Sequence, residues 1–152
     1  MKIAIASDHA GFPFKKKLYE DLQLRGHFLT DYGTYDKESC DYPVFAIPAL
    51  RSVVEGRNQR GILICGTGIG MSILANKFPG IRAALVYSSR AVRFSREHND
   101  SNVLCLGGRE HRETDLLKWV HIWLKTPYEA GHHQIRLSYI LDLDQKRSKS
   151  LL

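Results

Sequence analysis

Gly61-Ile62-Leu63-Ile64-Cys65-Gly66-Thr67-Gly68-Ile69-Gly70 decides how this chain is read. Its first half is a continuous apolar run of the kind buried on both faces of a parallel sheet. The run ends at a thiol, and a glycine-rich turn leads into Met71 to Lys77, which has helical spacing. Glycines let the backbone come close to a ligand. The unpaired amides and dipole of the following helix favour negative charge, so the run can act as an anion cradle. From these ten residues alone, a tight βα turn with no ligand explains the glycines equally well. Two nucleotide motifs are excluded. A dinucleotide pattern starting at Gly66 meets Met71 where its last glycine belongs, with Leu85 in the region of the ribose-binding acid, and the Gly-Lys-Ser/Thr ending of a P-loop is missing.

Working outward, strand and helix signals alternate. Lys2 to Ser7 reads as a strand, Gly11 to Arg25 as a helix stopped by Gly26, and His27 to Asp31 as a second strand. Tyr32 to Asp41 reads as a loop, and Pro43 to Val54 as a helix in which Pro48 is an irregularity. After the cradle, Ala83 to Tyr87 and Asn102 to Leu106 are strands, while Ala91 to His98, Thr114 to Leu124 and Pro127 to Asp144 are helices. The alternation predicts one α/β domain over residues 1–152, with a mostly parallel five-stranded sheet, right-handed crossovers and a site at the carboxyl ends of the strands. Ser7-Asp8-His9, Cys65-Gly66-Thr67-Gly68 and Gly107-Gly108-Arg109 fall at such ends. Arg147 to Leu152 is expected to fray.

Composition narrows the partners. A chain of 152 residues can bury a full core without a disulfide or metal staple. No apolar run approaches the roughly 18 residues of a membrane helix, and Ile3 to Ala6 meets Asp8 too soon for a signal-peptide core, so a cytoplasmic protein is expected. The net charge of +6 suits an anionic small molecule or a nucleic acid. Lys15-Lys16-Lys17 and Lys146-Arg147-Ser148-Lys149 lack interleaved aromatics and read as solvated surface, against nucleic-acid binding. Cys40, Cys65 and Cys105 are three, with no Cys-x-x-Cys pair, so reduced thiols are the default.

Cys65 alone stands in the electropositive end of a helix, where the thiolate needed for a base or nucleophile is favoured. A buried small hydrophobe is the ordinary reading of a cysteine, and it fits Cys105 in Val103-Leu-Cys-Leu106. His9 and His98 lie in polar turns where an imidazole can exchange protons or meet a phosphate, although a lone loop histidine is usually surface. Arg109 and Arg136 suit a phosphate in the same way, or simple surface ion pairs. No His or Cys pair has zinc-type spacing, so neither a metal nor another cofactor is expected. Together these groups point to proton transfer on a small phosphorylated substrate.

Ser7-Asp8-His9-Ala10-Gly11, Asp41-Tyr42-Pro43, Ile64-Cys-Gly-Thr-Gly-Ile-Gly70, Ala75-Asn-Lys77, Gly80-Ile-Arg82, Ser95-Arg-Glu-His-Asn-Asp100 and Gly107-Gly-Arg109 resemble, in order and spacing, the type B ribose-5-phosphate isomerases and related sugar-phosphate isomerases. The likeness runs nearly to Arg136. It implies a Rossmann-like, doubly wound sheet flanked by helices, and metal-free interconversion of D-ribose 5-phosphate and D-ribulose 5-phosphate in the pentose phosphate pathway. It implies that Cys65 moves the proton between C2 and C1 through a cis-enediolate, that Thr67 assists, and that His98 opens the furanose ring. Asp8, His9, Tyr42, Asn99 and the backbone of Gly66, Gly68, Ile69 and Gly70 would bind the sugar; Arg109, His132 and Arg136 would bind its phosphate. It also implies a homodimer or dimer of dimers with shared sites, the helix at about 127–144 packing on the partner.

Where that family usually has Gly-Gly-Arg-His before its last arginine, this chain has Ala130-Gly131-His132-His133. His132 carries positive charge only when protonated, so phosphate binding should weaken above neutral pH. Members with a glutamate base place it one turn into the cradle helix, where Met71 and Ser72 offer none. An isomerase of galactose 6-phosphate or allose 6-phosphate shares the cradle, and His98-Asn99 leans toward a pentose. A non-catalytic nucleotide-binding module suffers from the broken dinucleotide pattern, and a nucleic-acid binder rests on charge alone.

Overall fold

The computed structural model describes residues 1–149. Its order is β1 (Lys2–Ser7), α1 (Phe12–Leu24), β2 (Phe28–Asp31), α2 (Tyr42–Val54), β3 (Arg60–Cys65), α3 (Ile69–Ala75), β4 (Ala83–Leu85), α4 (Ser89–Glu97), β5 (Val103–Gly107), α5 (Glu113–Lys125) and α6 (His132–Lys149). The strands form one sheet in the order β2-β1-β3-β5-β4. Every pairing is parallel, so the sheet is more regular than the mostly parallel one expected.

The period of two in the apolar strands divides the core between the sheet faces. Ile3, Ile5, Ile62, Ile64, Leu104 and Leu106 pack with Leu18, Leu22, Leu116, Val120 and Trp123 from α1 and α5. Ala4, Ala6, Leu63, Cys65, Val103 and Cys105 pack on the other face with Ala46, Ala49, Leu50, Met71 and Ala75 from α2 and α3. Small residues in β1 on this second face accept the closely packed α2. Because both faces are covered, β1, β3 and β5 read as unbroken apolar runs.

Register then fixes the site. Ser7 pairs with Ile64, and Cys65 pairs with Gly107, so the ends of β1, β3 and β5 finish side by side. The chain diverges here, with β2 added on one side of β1 and β3 on the other. Such a switch point leaves a crevice beyond the carboxyl ends of the strands.

Several elements differ from the sequence reading. Pro48 lies inside α2 without ending it; Val44, whose carbonyl loses its usual intrahelical donor to a proline, is exposed and open to water. β4 stops at Leu85, and α3 begins at Ile69, earlier than the expected Met71. Lys15 is a correction, for it is buried and paired with Asp31 rather than solvated. Burial lowers its pKa, while the hydrogen bond and charge of Asp31 oppose the change.

The last helix also begins later than the expected Pro127. Ala130 (φ 52°) and Gly131 (φ 54°) are left-handed, a conformation no α-helix can pass through, and α6 starts immediately after them. It continues through Lys149, past the expected end at Asp144; residues 150–152 of the end expected to fray lie outside the described residues. Leu137 and His133 are buried against the rest of the chain, and the Gly80 amide donates to Asp144 Oδ2 at 2.8 Å. Ala130 carries a side chain where the left-handed conformation costs about 1–2 kcal/mol. Ala130→Gly removes that strain but loosens the unfolded chain by about 0.4–1 kcal/mol. A net gain of about 0.5 kcal/mol is expected, and a lower urea midpoint for the variant would contradict it.

Candidate active site

Cys65 closes β3, and the chain turns at once through Gly66, Thr67 and Gly68 into α3. The Gly68 amide donates to Cys65 Sγ at 3.1 Å. That approach needs Gly68 in the left-handed region (φ 79°), where a Cβ would lie 2.6 Å from Leu85 Cδ1 and 2.9 Å from the Leu106 carbonyl carbon. An amide aimed at sulfur solvates a thiolate, and amides in the first turn of α3 have no intrahelical acceptor behind them. Cys105 differs: burial, with a smaller contribution from Cys65, pushes its thiol up, leaving it an inert core residue.

Around the sulfur stand the other strand ends. Asp8 is buried at the end of β1, and its Oδ1 accepts the amides of Ala10 and Gly11, both at 2.9 Å. The rigid carboxylate keeps Oδ2 clear of hydrogen bonds from the described residues. His9 Nδ1 accepts the Cys40 amide at 3.2 Å, which leaves the proton of the neutral ring on Nε2 as a donor. The Tyr42 ring lies so close to Gly70 that an added Cβ would sit 2.8 Å from Cζ. The Arg109 amide donates to Gly66 O at 3.0 Å, and its exposed side chain runs beside Gly66. Thr67 is exposed with Oγ1 accepting the Ile69 amide at 3.2 Å, so its hydroxyl hydrogen remains available.

A second group forms elsewhere in the chain. His98 caps α4 and is stacked between Phe94 (4.5 Å between centroids) and His133 (4.1 Å). His132 follows, 3.9 Å from His133. Asn99 is fastened through Nδ2 to Phe94 O, and its carbonyl accepts from Arg82 Nε. Arg136 is exposed on α6. Neither Arg109 nor Arg136 forms an ion pair among the described residues, which removes the surface-pair explanation of both. Among the described residues, no hydrogen bond or ring contact joins this second group to the Cys65 group. A cavity of about 260 Å³, lined in part by Arg82, Asn99, Leu137 and Ile140, lies beneath α6 and not at the cradle.

Sequence reasoning missed three features. Cys40, given no role from the sequence, fixes His9 through its amide and holds its Sγ 3.9 Å from Nδ1. Lys15 and Asp31 brace the loop leading to Tyr42, since Asp31 Oδ1 also accepts the Gly33 amide at 2.8 Å. His98, Glu129 and His133 bring three metal-capable donors together, although no His or Cys pair has zinc-type spacing along the chain. Each is a long-range juxtaposition, invisible to local spacing.

A doubly wound α/β sheet with a thiol under an amide at its switch point is an arrangement in which small molecules bind beyond the strand ends. Comparison with known proteins narrows the class. The family model described as Ribose/Galactose Isomerase matches residues 3–140. Ribose-5-phosphate isomerase B of Escherichia coli is 42% identical over 147 residues, covering 97% of this chain and 99% of that protein. The structure of Clostridium thermocellum ribose-5-phosphate isomerase B superposes with a TM-score of 0.94 at 45% identity, over 97% of this chain and 99% of the other. That of the Mycoplasma genitalium protein with bound ribulose-5-phosphate superposes at 0.91 with 38% identity, over 95% and 96%. The chain belongs to the Ribose/Galactose Isomerase family.

Burial, then the charges of His132, His98 and Arg136, lowers the His133 pKa; burial, the N-terminal amine and Arg25 lower that of His27. Both shifts favour the neutral ring in the folded chain. Their contribution to stability is complete above the ordinary histidine value of about 6.5 and is lost as pH falls through the lowered folded values. The melting temperature should drop between about pH 7 and pH 5, and His133→Gln should shrink that drop. An unchanged acid slope in the variant would refute the assignment to His133.

Proposed function

We propose that this chain is an aldose–ketose isomerase that interconverts D-ribose 5-phosphate and D-ribulose 5-phosphate. The hydrogen bond from Gly68 to the Cys65 sulfur carries the reading, because it places an amide donor on the thiol at the end of β3 and so supports a base there. The sulfur takes the proton from C2 of the open sugar and returns it to C1. Negative charge developing on the enediolate meets the Gly66–Gly70 backbone, which needs no reorganisation to receive it. Thr67 donates its free hydroxyl hydrogen to the reacting oxygens. Asp8 Oδ2, His9 Nε2–H and Tyr42 hold the sugar hydroxyls, and Arg109 reaches the phosphate.

Ring opening falls to His98, with Asn99 beside it, and further phosphate contacts to Arg136 and His132. Their separation from Cys65 within one chain supports a homodimer in which each site draws on both copies. Exposed apolar residues support the same assembly: Ile135, Tyr139, Ile140, Leu141 and Leu143 on α6, and Val44, Ile69 and Ile73 on α2 and α3. Docking α6 of one copy across the cradle helix of the other would carry Arg136 to the phosphate. The cytoplasm is the proposed location; the three cysteines are free thiols, and no helix among the described residues is long and apolar enough to cross a membrane. A six-carbon sugar phosphate is the second reading, favoured by the family description, which names galactose as well as ribose.

In deuterium oxide, turnover of ribose 5-phosphate should place solvent deuterium on the sugar. Cys65→Ala should lower kcat by about a hundred- to ten-thousand-fold, the usual weight of a general base. Retained turnover in that variant would remove the cysteine mechanism, and faster turnover of a six-carbon phosphate would move the substrate to the second reading. Arginine would place a permanent, fork-shaped cation where His132 stands, so His132→Arg should lower KM for the phosphorylated sugar. An unchanged KM in that variant would count against a phosphate role for His132.

A further inference from the structure

His98 at the end of α4, Glu129 in the segment before α6 and His133 in the first turn of α6 present one donor atom each, all within 4.8 Å of one another. We propose that this trio binds a divalent transition-metal ion such as Zn²⁺ or Co²⁺, and that the bound ion blocks the acid–base work of His98. The blocking half depends on His98 being the ring-opening group; the binding half does not.

The donor set selects the ion. Two imidazoles and one carboxylate suit zinc and its neighbours with a coordination position left open, whereas magnesium and calcium favour oxygen throughout. The three groups also share a common scaffold. The Glu129 amide donates to the Glu97 carbonyl at 3.0 Å, tying the segment to the residue before His98. The left-handed pair Ala130 and Gly131 then reverses the chain, and the His133 amide donates to Ala130 O at 3.0 Å. That turn brings the His133 ring back onto His98, with planes only 15° apart.

Stacked rings keep their in-plane lone pairs in nearly parallel planes, so one ring must tilt for both to face the same ion. Phe94 and His133 clamp His98 on its two faces, and the adjustment therefore falls to His133. Zinc–nitrogen bonds of about 2.0 Å place tetrahedral ligand atoms roughly 3.3 Å apart. Glu129 is exposed and forms no ion pair among the described residues, so its side chain is open to closing on the ion from the present spread.

The test uses the chelator-stripped full chain, titrated calorimetrically with Zn²⁺ and by visible absorption with Co²⁺. One ion per chain is expected at the trio. Loss of a mere supporting partner already weakens metal sites by about 10- to 100-fold, so Glu129→Gln and His133→Gln should each weaken binding at least tenfold. Glu129→Gln touches an exposed side chain, and its metal-free turnover should match that of the unaltered protein while its Zn²⁺ inhibition needs at least ten times more metal. Absence of binding, or binding untouched by either substitution and hence due to thiols such as Cys40 or Cys65, would overturn the site. Binding at the trio without loss of turnover would overturn the blocking role. If the protein proves to have no isomerase activity, the two titrations still decide the site.

Discussion

The Gly68 amide reaches the Cys65 sulfur only because the intervening backbone lies directly on the neighbouring strands. A Cβ at Gly68 would strike Leu85 and the backbone of Leu106, and one at Gly107 would sit 2.7 Å from the Thr67 carbonyl oxygen. The turn and the end of β5 are thus packed backbone to backbone. The sulfur's surroundings are set by the parallel register that pairs Cys65 with Gly107, and a slip of one residue would turn Cys65 to the opposite sheet face. Chemistry and core packing share the same few atoms.

The same constraint accounts for the order of the neighbouring loop. The Ser7 amide donates to Gly33 O, and the Thr34 amide donates back to Ser7 O, extending the β1 pairing beyond the sheet. Lys15 and Asp31 brace this start of the loop, and Cys40 fastens its far end to His9. Dipoles fixed in this way lower a barrier without reorganising as charge develops, which water cannot match. A buried lysine is the structural cost, since its desolvation is only partly offset by Asp31.

The alternating elements were legible in the sequence because burial of β1, β3 and β5 on both faces leaves unbroken apolar runs, while Gly26, Gly66 and Gly68 mark the turns between periods. The glycine run around Cys65 announced the tight turn into α3 for the same local reason. What escaped was long-range or depended on tertiary burial. Lys15 reads as one of three surface lysines until α1 meets Asp31. The start of α6 was hidden because Ala130 is an ordinary helix former placed in a conformation that no propensity suggests. The stack of His98 on His133 joins residues 35 positions apart, beyond any helical or strand period.

The two groups of polar residues pose a physical problem that one copy of the chain leaves open. Opening a sugar ring and shifting a proton between its carbons demand an acid–base group and a base on the same small molecule, within hydrogen-bond reach of their respective atoms. His98 is committed to a stack against α6, and Cys65 to the end of β3. Each is fixed by the element that carries it, α4 or β3, so under the proposed mechanism the groups meet by association and not by closure. α6 is suited to that role because it bears both the cation Arg136 and the exposed apolar row from Ile135 to Leu143. Under that proposal, a surface that delivers a phosphate ligand while covering apolar area makes assembly and substrate binding one event, and the left-handed turn at Ala130 and Gly131 is where that surface begins.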